Sequence, residues 1–435
     1  MPDTIYALSS GVGRAGIAVI RISGPSAASI ARLMANRELV ARKAALVDIR
    51  HPVSADPIDR ALALWFPGPN SFTGEDVLEL HVHGGRAVVA ATLDSLATVE
   101  GVRVAEPGEF TRRAFANGRL DLSSVEGLAD LISADTELQR RQAFNQFSGA
   151  LGKRAAEWRR KLIDARALIE ACLDFPDEAE IPADLTDSIR GDLKELAGSF
   201  EAALKGRERA EIIRDGGVVL IAGPPNSGKS TLLNRIAERD VAIISDIPGT
   251  TRDLIEITID IRGLPVTFID SAGIRETQDP VESEGIARTR ARAAQAHAVI
   301  WLEAPPDVSN ASSIVHPVLV RVASKCDISP AMPGRMSISA KTGAGVLELL
   351  DHVCDLIFPN LNRAESSLLS TQRQFDCVQS GLTSVSQASA HMSQQELELA
   401  AEELRLASQR LEELTGVISN DALLDEVFGR FCLGK

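Results

Sequence analysis

The sequence lacks paired cysteines, long apolar runs and an excess of positive charge. Its five cysteines, Cys172, Cys326, Cys354, Cys377 and Cys432, are scattered with no C-x-x-C pair. Neither a disulfide framework nor a zinc site is expected, and a reducing cytoplasm fits best. No apolar stretch approaches the roughly 18 to 20 residues of a membrane helix, and Met1 to Ser10 shows no basic start followed by an apolar block. Secretion and membrane spanning are therefore not expected. Lys and Arg total 46 against 60 Asp and Glu, a net charge of −14. A surface this acidic does not coat nucleic acid as a whole, so any such contact needs a local basic patch or a partner protein.

What is present is globular in composition, with 45% hydrophobic and 24% charged residues. A length of 435 residues suggests about two to four domains. Residues 1–119 carry short β-branched runs, Ile17 to Ile22, Ala61 to Phe66 and Val77 to Val82, separated by Gly/Pro clusters. That pattern predicts an α+β domain. Residues 120–213 lose the turn signals and read as helical apart from Phe175-Pro176-Asp177 and Ile181-Pro182.

Over residues 214–360, strands alternate with helical stretches: Val218 to Ala222, Val266 to Ile269, Ala298 to Leu302, Val318 to Ala323 and Met336 to Ser339. This predicts a doubly wound α/β domain. Residues 361–435 are helical again, with Leu397, Ala400, Leu404, Ala407, Leu411 and Leu414 making one face that should pack on the earlier helices. The expected fold is multidomain α/β, with the α/β unit inserted in a split helical domain.

The strongest local signal is Gly223-Pro224-Pro225-Asn226-Ser227-Gly228-Lys229-Ser230, which follows a strand and opens a helix at Thr231. Its glycines let backbone N–H groups turn toward phosphates, Lys229 brings a point charge to the β/γ oxygens, and Ser230 offers a hydroxyl to Mg²⁺. Asp270-Ser271-Ala272-Gly273 ends a second strand, where the carboxylate can hold a Mg²⁺-bound water and the glycine N–H can reach the γ-phosphate. Between them Thr250 and Thr251 can complete the metal shell. Ser324-Lys325-Cys326-Asp327 closes a further strand. Asp327 can accept two parallel hydrogen bonds from guanine, a donor pair adenine lacks. Ser339-Ala340-Lys341 would supply backbone N–H to the guanine oxygen. Five such elements in order describe a GTPase.

Two features depart from a Ras-type enzyme. Ile274 stands where a water-orienting Gln is usual, so the nearby Glu276, Glu282 and Glu284 become candidates, with a solvated turn accounting for Glu276 and Glu284. Asn226 lies inside the phosphate loop, where its amide oxygen could ligate a monovalent cation in place of an arginine finger.

These motifs, with the run Asp246-Ile247-Pro248-Gly249-Thr250-Thr251-Arg252-Asp253 and the closing Phe431-Cys432-Leu433-Gly434-Lys435, resemble the MnmE/TrmE tRNA-modification GTPases. Arg21-Ile22-Ser23-Gly24, the Phe66 to Asp76 run, Pro107-Gly108-Glu109-Phe110-Thr111 and Leu120-Asp121-Leu122 resemble that family's folate-binding domain. The resemblance implies a K⁺-activated GTPase whose G domains dimerise, with Asn226, Ser245, Ile247 and Thr250 holding K⁺, Ser230 and Thr251 holding Mg²⁺, and Glu282 orienting water. It implies a homodimer that binds a folate one-carbon donor near Arg21, Glu79, Arg119 and Lys435. With an FAD-dependent MnmG/GidA partner, such enzymes place an aminomethyl or carboxymethylaminomethyl group on C5 of the wobble uridine of certain tRNAs. One position departs: Ser324 replaces the Asn that normally opens the guanine motif and tethers the phosphate loop. GTP specificity should survive through Asp327 while affinity falls.

Weaker signals complete the reading. Gly11-Val12-Gly13-Arg14-Ala15-Gly16 matches a dinucleotide motif but precedes a β-branched run rather than a helix. Glu79, His81 and His83 share a strand face; a polar face or folate pocket explains them better than a metal. Eight basic residues between Arg140 and Arg166 form the best tRNA-facing candidate, set against a solvated helix face. The reading from a different class is a ribosome-assembly or translation GTPase switch, which predicts a basic KH-like appendage not seen in the acidic final helices.

Overall fold

The computed structural model describes residues 3–174, 183–238, 242–243, 256–270, 293–303, 316–329, 335–358, 367–418 and 421–435. The chain forms two compact units, one from Met1–Ala129, Gln146–Leu196 and Ser380–Lys435, the other from Asp130–Asn145 and Ala197–Gln379.

The first unit is built on a six-stranded sheet in the order β3-β4-β5-β2-β1-β6. Its strands are β1 (Thr4–Leu8), β2 (Ala15–Ser23), β3 (Ala45–Arg50), β4 (Pro57–Phe66), β5 (Val77–Gly84) and β6 (Val102–Val104). All neighbours run antiparallel except β1 and β6. Helices α1 (Ala27–Ala35) and α2 (Arg86–Ala97) cover one face, where Ile20, Ile22, Leu78 and Leu80 meet Ile30, Met34 and Leu96. Alternation sends the intervening residues to the other face: Leu46, Leu62, His81 and Val19 share one row, and Leu64, Glu79 and Arg21 the next. At the β1 end this second face is closed by Phe110 of α3 (Glu109–Ala116) and by Phe72. Toward β3 it stays open, with Leu46 60% and Leu62 40% exposed.

The helical part of this unit includes α6 (Ala150–Asp174), α12 (Leu397–Thr415) and α13 (Asp421–Gly429); α4 (Leu122–Ile132), α5 (Glu137–Phe147), α7 (Ala183–Leu204) and α11 (Gln372–Ser393) each contribute residues to both units. As the apolar spacing predicted, α12 packs along α6, burying Ala400, Leu404, Ala407, Leu411 and Leu414; Leu397 is only half-buried. Leu122, Val125, Val427, Phe428 and Phe431 make a separate small core. Gly108, at φ +72°, abuts the Phe428 carbonyl, so no side chain fits there.

The second unit holds a seven-stranded sheet, β13-β12-β11-β7-β10-β9-β8. Strands β7 (Gly217–Ala222), β10 (Leu264–Asp270), β11 (Ala298–Glu303), β12 (Leu319–Ala323) and β13 (Met336–Ser337) run parallel, as the alternation predicted. The sequence reading missed β8 (Ala242–Ile243) and β9 (Glu256–Ile261), which extend the sheet antiparallel beyond β10. The signal was present: Arg262 at φ +56° and Gly263 at φ +87° make a two-residue hairpin between alternating apolar runs. Helices α8 (Arg207–Asp215), α9 (Lys229–Ala237) and α10 (Val346–Ile357) pack on this sheet through Ile213, Leu232, Leu233, Ile236, Leu349, Leu350 and Val353.

Candidate functional site

Parallel pairing places the carboxyl ends of β7, β10, β11, β12 and β13 along one sheet edge, where open α/β sheets bind ligands. At the end of β7 the chain turns through Gly223, whose added Cβ would strike the Leu302 carbonyl and the Ser227 hydroxyl. Asn226 takes φ +60° and Gly228 φ +97° before α9 begins at Lys229. A helix leaves its first N–H groups without intrahelical partners, so the turn from Lys229 to Thr231 faces an anion with donors and the positive end of a dipole. Lys229, 9% exposed, donates through Nζ to the carbonyls of Gly223 and Pro224, both at 3.0 Å. It braces the loop it would serve.

Ser230 Oγ donates to Oδ2 of Asp270 at 2.8 Å, and Asp270 is 1% exposed at the end of β10. A hydroxyl and a carboxylate in contact beside a phosphate loop are the hard oxygen donors that Mg²⁺ prefers. On the base side, Ser339 Oγ donates to Oδ1 of Asp327 at 2.7 Å. That hydrogen bond leads the influences holding the Asp327 carboxyl below the usual carboxylate range, with Lys341 and Lys325 adding attraction. Asp327 is thus a committed anion, fit to accept paired N–H groups.

Ser324 has a shorter side chain than the asparagine usual at this position. Its hydroxyl nevertheless donates to the Ser227 carbonyl at 2.7 Å, so the link between guanine loop and phosphate loop is kept. Two residues the motifs did not reveal support this edge. Arg235 of α9 donates to the carbonyls of Ala340 and Lys341, clamping the Ser339–Lys341 turn onto the helix that follows the phosphate loop. Glu303, fully buried at the end of β11, pairs with Arg335. Nothing local in the sequence marks either contact, because the partners lie 105 and 32 positions away.

In the other unit, Arg21 donates Nε and a terminal nitrogen to Oε1 of Glu79 at 3.0 and 2.9 Å, over the rings of Phe72 and Phe110. His81 Nε2 lies 3.3 Å from the other Glu79 oxygen, while His83 bonds Asp59 instead. Arg119 is exposed, its stem packed over Gly74 in the loop that carries Phe72. The Gly434 carbonyl accepts from Ser9 Oγ at 2.8 Å, which seats Lys435 beside the end of β1, the strand that pairs with Arg21 through Ala7.

A family profile described as the MnmE helical domain matches residues 122–432, and one described as the GTP-binding protein TrmE N-terminus matches residues 4–119. A curated relative from Parvibaculum lavamentivorans, named tRNA modification GTPase MnmE, is 46% identical, covering 100% of both chains. This chain belongs to the MnmE family of tRNA modification GTPases. Relatives of the same name from Azorhizobium caulinodans and Rhodopseudomonas palustris are 45% and 44% identical, each covering 100% of this chain and 99% of their own.

Of the MnmE-type residues expected on the nucleotide, Asn226, Ser227, Gly228, Lys229, Ser230, Thr231, Asp270, Ser324, Lys325, Asp327, Ser339, Ala340 and Lys341 gather at this one edge. Ser245, Asp246, Ile247, Pro248, Gly249, Thr250, Thr251, Ser271, Ala272, Gly273 and Glu282 lie outside the described residues. The basic stretch favours its solvated-face reading. Arg140 and Arg141 pair with Glu137, Arg154 with Glu157, Arg159 with Glu412, Lys161 with Glu195 and Arg166 with Glu170. Among the described residues only Lys153 and Arg160 of the eight form no ion pair. No described helix is long and apolar enough to cross a membrane.

Proposed function

We propose that this GTP hydrolase of tRNA modification is K⁺-activated and works in the cytoplasm as a homodimer. With an FAD-dependent partner of the MnmG/GidA type it installs an aminomethyl or carboxymethylaminomethyl group on C5 of the wobble uridine of certain tRNAs. The observation that carries this reading is the 46% identity across the whole of both chains. Residues 1–119 serve as the folate-binding and dimerisation domain, 120–213 and 361–435 as the split helical domain, and 214–360 as the G domain.

In the hydrolytic site, Lys229 and the first N–H groups of α9 draw charge off the β/γ phosphates as the terminal bond breaks. Ser230 holds Mg²⁺ with Thr251, and the contact between Ser230 and Asp270 supports that assignment. Asn226, with Ser245, Ile247 and Thr250, holds K⁺, which when bound supplies positive charge beside the phosphates. Asn226 is exposed on the phosphate loop, which fits an amide oxygen facing a ligand. Glu282 orients the attacking water, and Asp327 selects guanine.

A guanidinium on an aromatic platform beside a carboxylate suits a folate, whose pterin carries N–H donors and whose tail carries carboxylates. Arg21, Glu79, Arg119 and Lys435 would hold that group, which supplies the one-carbon unit. The open sheet face bearing Leu46 and Leu62 supports pairing of two copies there.

GTP turnover is expected to rise at least about tenfold in K⁺ over Na⁺, and Asn226→Ala to abolish the difference. Indifference to both changes would remove the cation from the mechanism. Nucleoside analysis of tRNA from cells lacking the protein tests the wider role. Loss of the C5 substituent is expected, whereas unchanged wobble uridines would favour a GTPase switch without modification chemistry.

A further inference from the structure

Guanine presents N1–H and the 2-amino group as donors, and O6 and N7 as acceptors. The reading of this edge as a GTP site assigns the donors to Asp327 and O6 to the Ser339–Lys341 turn. On that reading N7 would face back toward the phosphate loop, where Ser324 is the side chain joining the two loops.

Ser324 is 5% exposed, and its Oγ lies 2.7 Å from the Ser227 carbonyl and 3.2 Å from the Glu303 carbonyl. Both neighbours only accept, and a serine hydroxyl has one proton to give. That proton is therefore committed within the protein. Two nearby backbone donors are committed too: Ser324 N–H bonds the Glu303 carbonyl at 2.8 Å and Cys326 N–H the Ile338 carbonyl at 3.0 Å. An asparagine here would carry two N–H bonds on a nitrogen one bond further out, enough for carbonyl and base together.

We propose that Ser324 is a positioning residue: it ties the guanine loop to the phosphate loop through Ser227 and gives nothing to the base, so this enzyme binds guanine without a side-chain donor to N7. The inference rests on the GTP reading of the site. It makes a demand on the base that the reading alone does not.

The probe is 7-deaza-GTP, in which carbon replaces N7 and the edge facing Asp327 is unchanged. Dissociation constants for GTP and 7-deaza-GTP are compared on the full-length protein by displacement of a fluorescent GDP. The wild type should bind both within about twofold, because one neutral hydrogen bond is worth about two- to tenfold. Ser324→Asn should bind GTP about three- to tenfold more tightly and now prefer it over 7-deaza-GTP. Ser324→Ala should weaken both nucleotides by the same factor, since only the tether is lost.

A wild-type preference for GTP above twofold would overturn the proposal. So would a Ser324→Ala protein that weakens GTP but leaves 7-deaza-GTP unchanged, because the hydroxyl would then be reading N7. ATP binding as tightly as GTP would instead overturn the underlying guanine reading, a result separate from the N7 ratio.

Discussion

The polar cluster at the start of the chain and the nucleotide loops of the other unit are both dense in hydrogen bonds, yet they are held in opposite ways. In the first, Arg113 donates to the Asp3 carbonyl and carboxylate at 2.8 Å, to Glu109 at 2.9 Å and to Glu75 at 3.2 Å. Arg103 adds two contacts to the same Glu109 carboxylate at 2.6 and 2.8 Å, and Ser23 holds Glu75 at 2.7 Å. Each carboxylate keeps a partner if one contact is lost. In the nucleotide loops, besides the braces from Lys229 and Arg235, three links each rest on one hydroxyl: Ser324 on Ser227, Ser230 on Asp270 and Ser339 on Asp327. Charge-assisted, redundant bonds suit a region that must keep its shape, while single hydroxyls can let go when a charged ligand arrives.

The largest expected effect lies in the singly held region. Lys229→Ala removes both the brace on the loop and the charge on the phosphates, and GTP turnover should fall about 100- to 1,000-fold in a steady-state assay. A smaller loss would mean that other donors share its task. In the redundant region, Arg113→Met takes one partner from each of Asp3, Glu75 and Glu109 and leaves each with another. Unfolding in denaturant should show only about 1 to 2 kcal/mol less stability, and a loss above about 3 kcal/mol, the cost of an unpaired buried charge, would break the contrast drawn above. Ser339→Ala should weaken GTP binding about two- to tenfold while leaving the thermal midpoint unchanged.

The smallest effect is a change of slope with pH. Burial alone would raise the Glu109 carboxyl, but Arg103, the Glu106 N–H and Arg113 outweigh it and hold it below its usual 4.5. A carboxylate depressed in the folded state stabilises fully above its unfolded value and loses that contribution as pH falls toward the folded one. Glu109→Gln should therefore flatten the decline of the thermal midpoint below about pH 4.5. An unchanged slope would move the acid sensitivity elsewhere.

The G-domain motifs were legible because each is a short string in which the chemistry is local: the strand, the glycines at Gly223 and Gly228, the lysine and the hydroxyl all fall between Gly217 and Ser230. The face of α12 was legible for the same reason, its spacing being a property of one helix. What was hidden joins distant positions. The sequence shows Ser324 as a departure from asparagine, but only the fold shows that its hydroxyl reaches Ser227, 97 positions away. Arg235 and the Glu303–Arg335 pair are likewise set by strand order rather than by pattern. The stretch from Arg140 to Arg166 left two readings open in the sequence, a tRNA-facing patch and a solvated helix face. The fold favours the second, because Glu412 and Glu195, far along the chain, pair with two of its members.

The bond from Ser9 to Gly434 spans 425 positions. Synthesis at about 5 to 20 residues per second separates the two by roughly 20 to 85 seconds. Gly434, at φ +90°, is pressed against the Leu8 carbonyl, a place that a residue with a side chain could not take. Throughout that interval the Ser9 hydroxyl is without this partner. The ribosome thus imposes a timetable on this corner, which is completed only once Gly434 has been made.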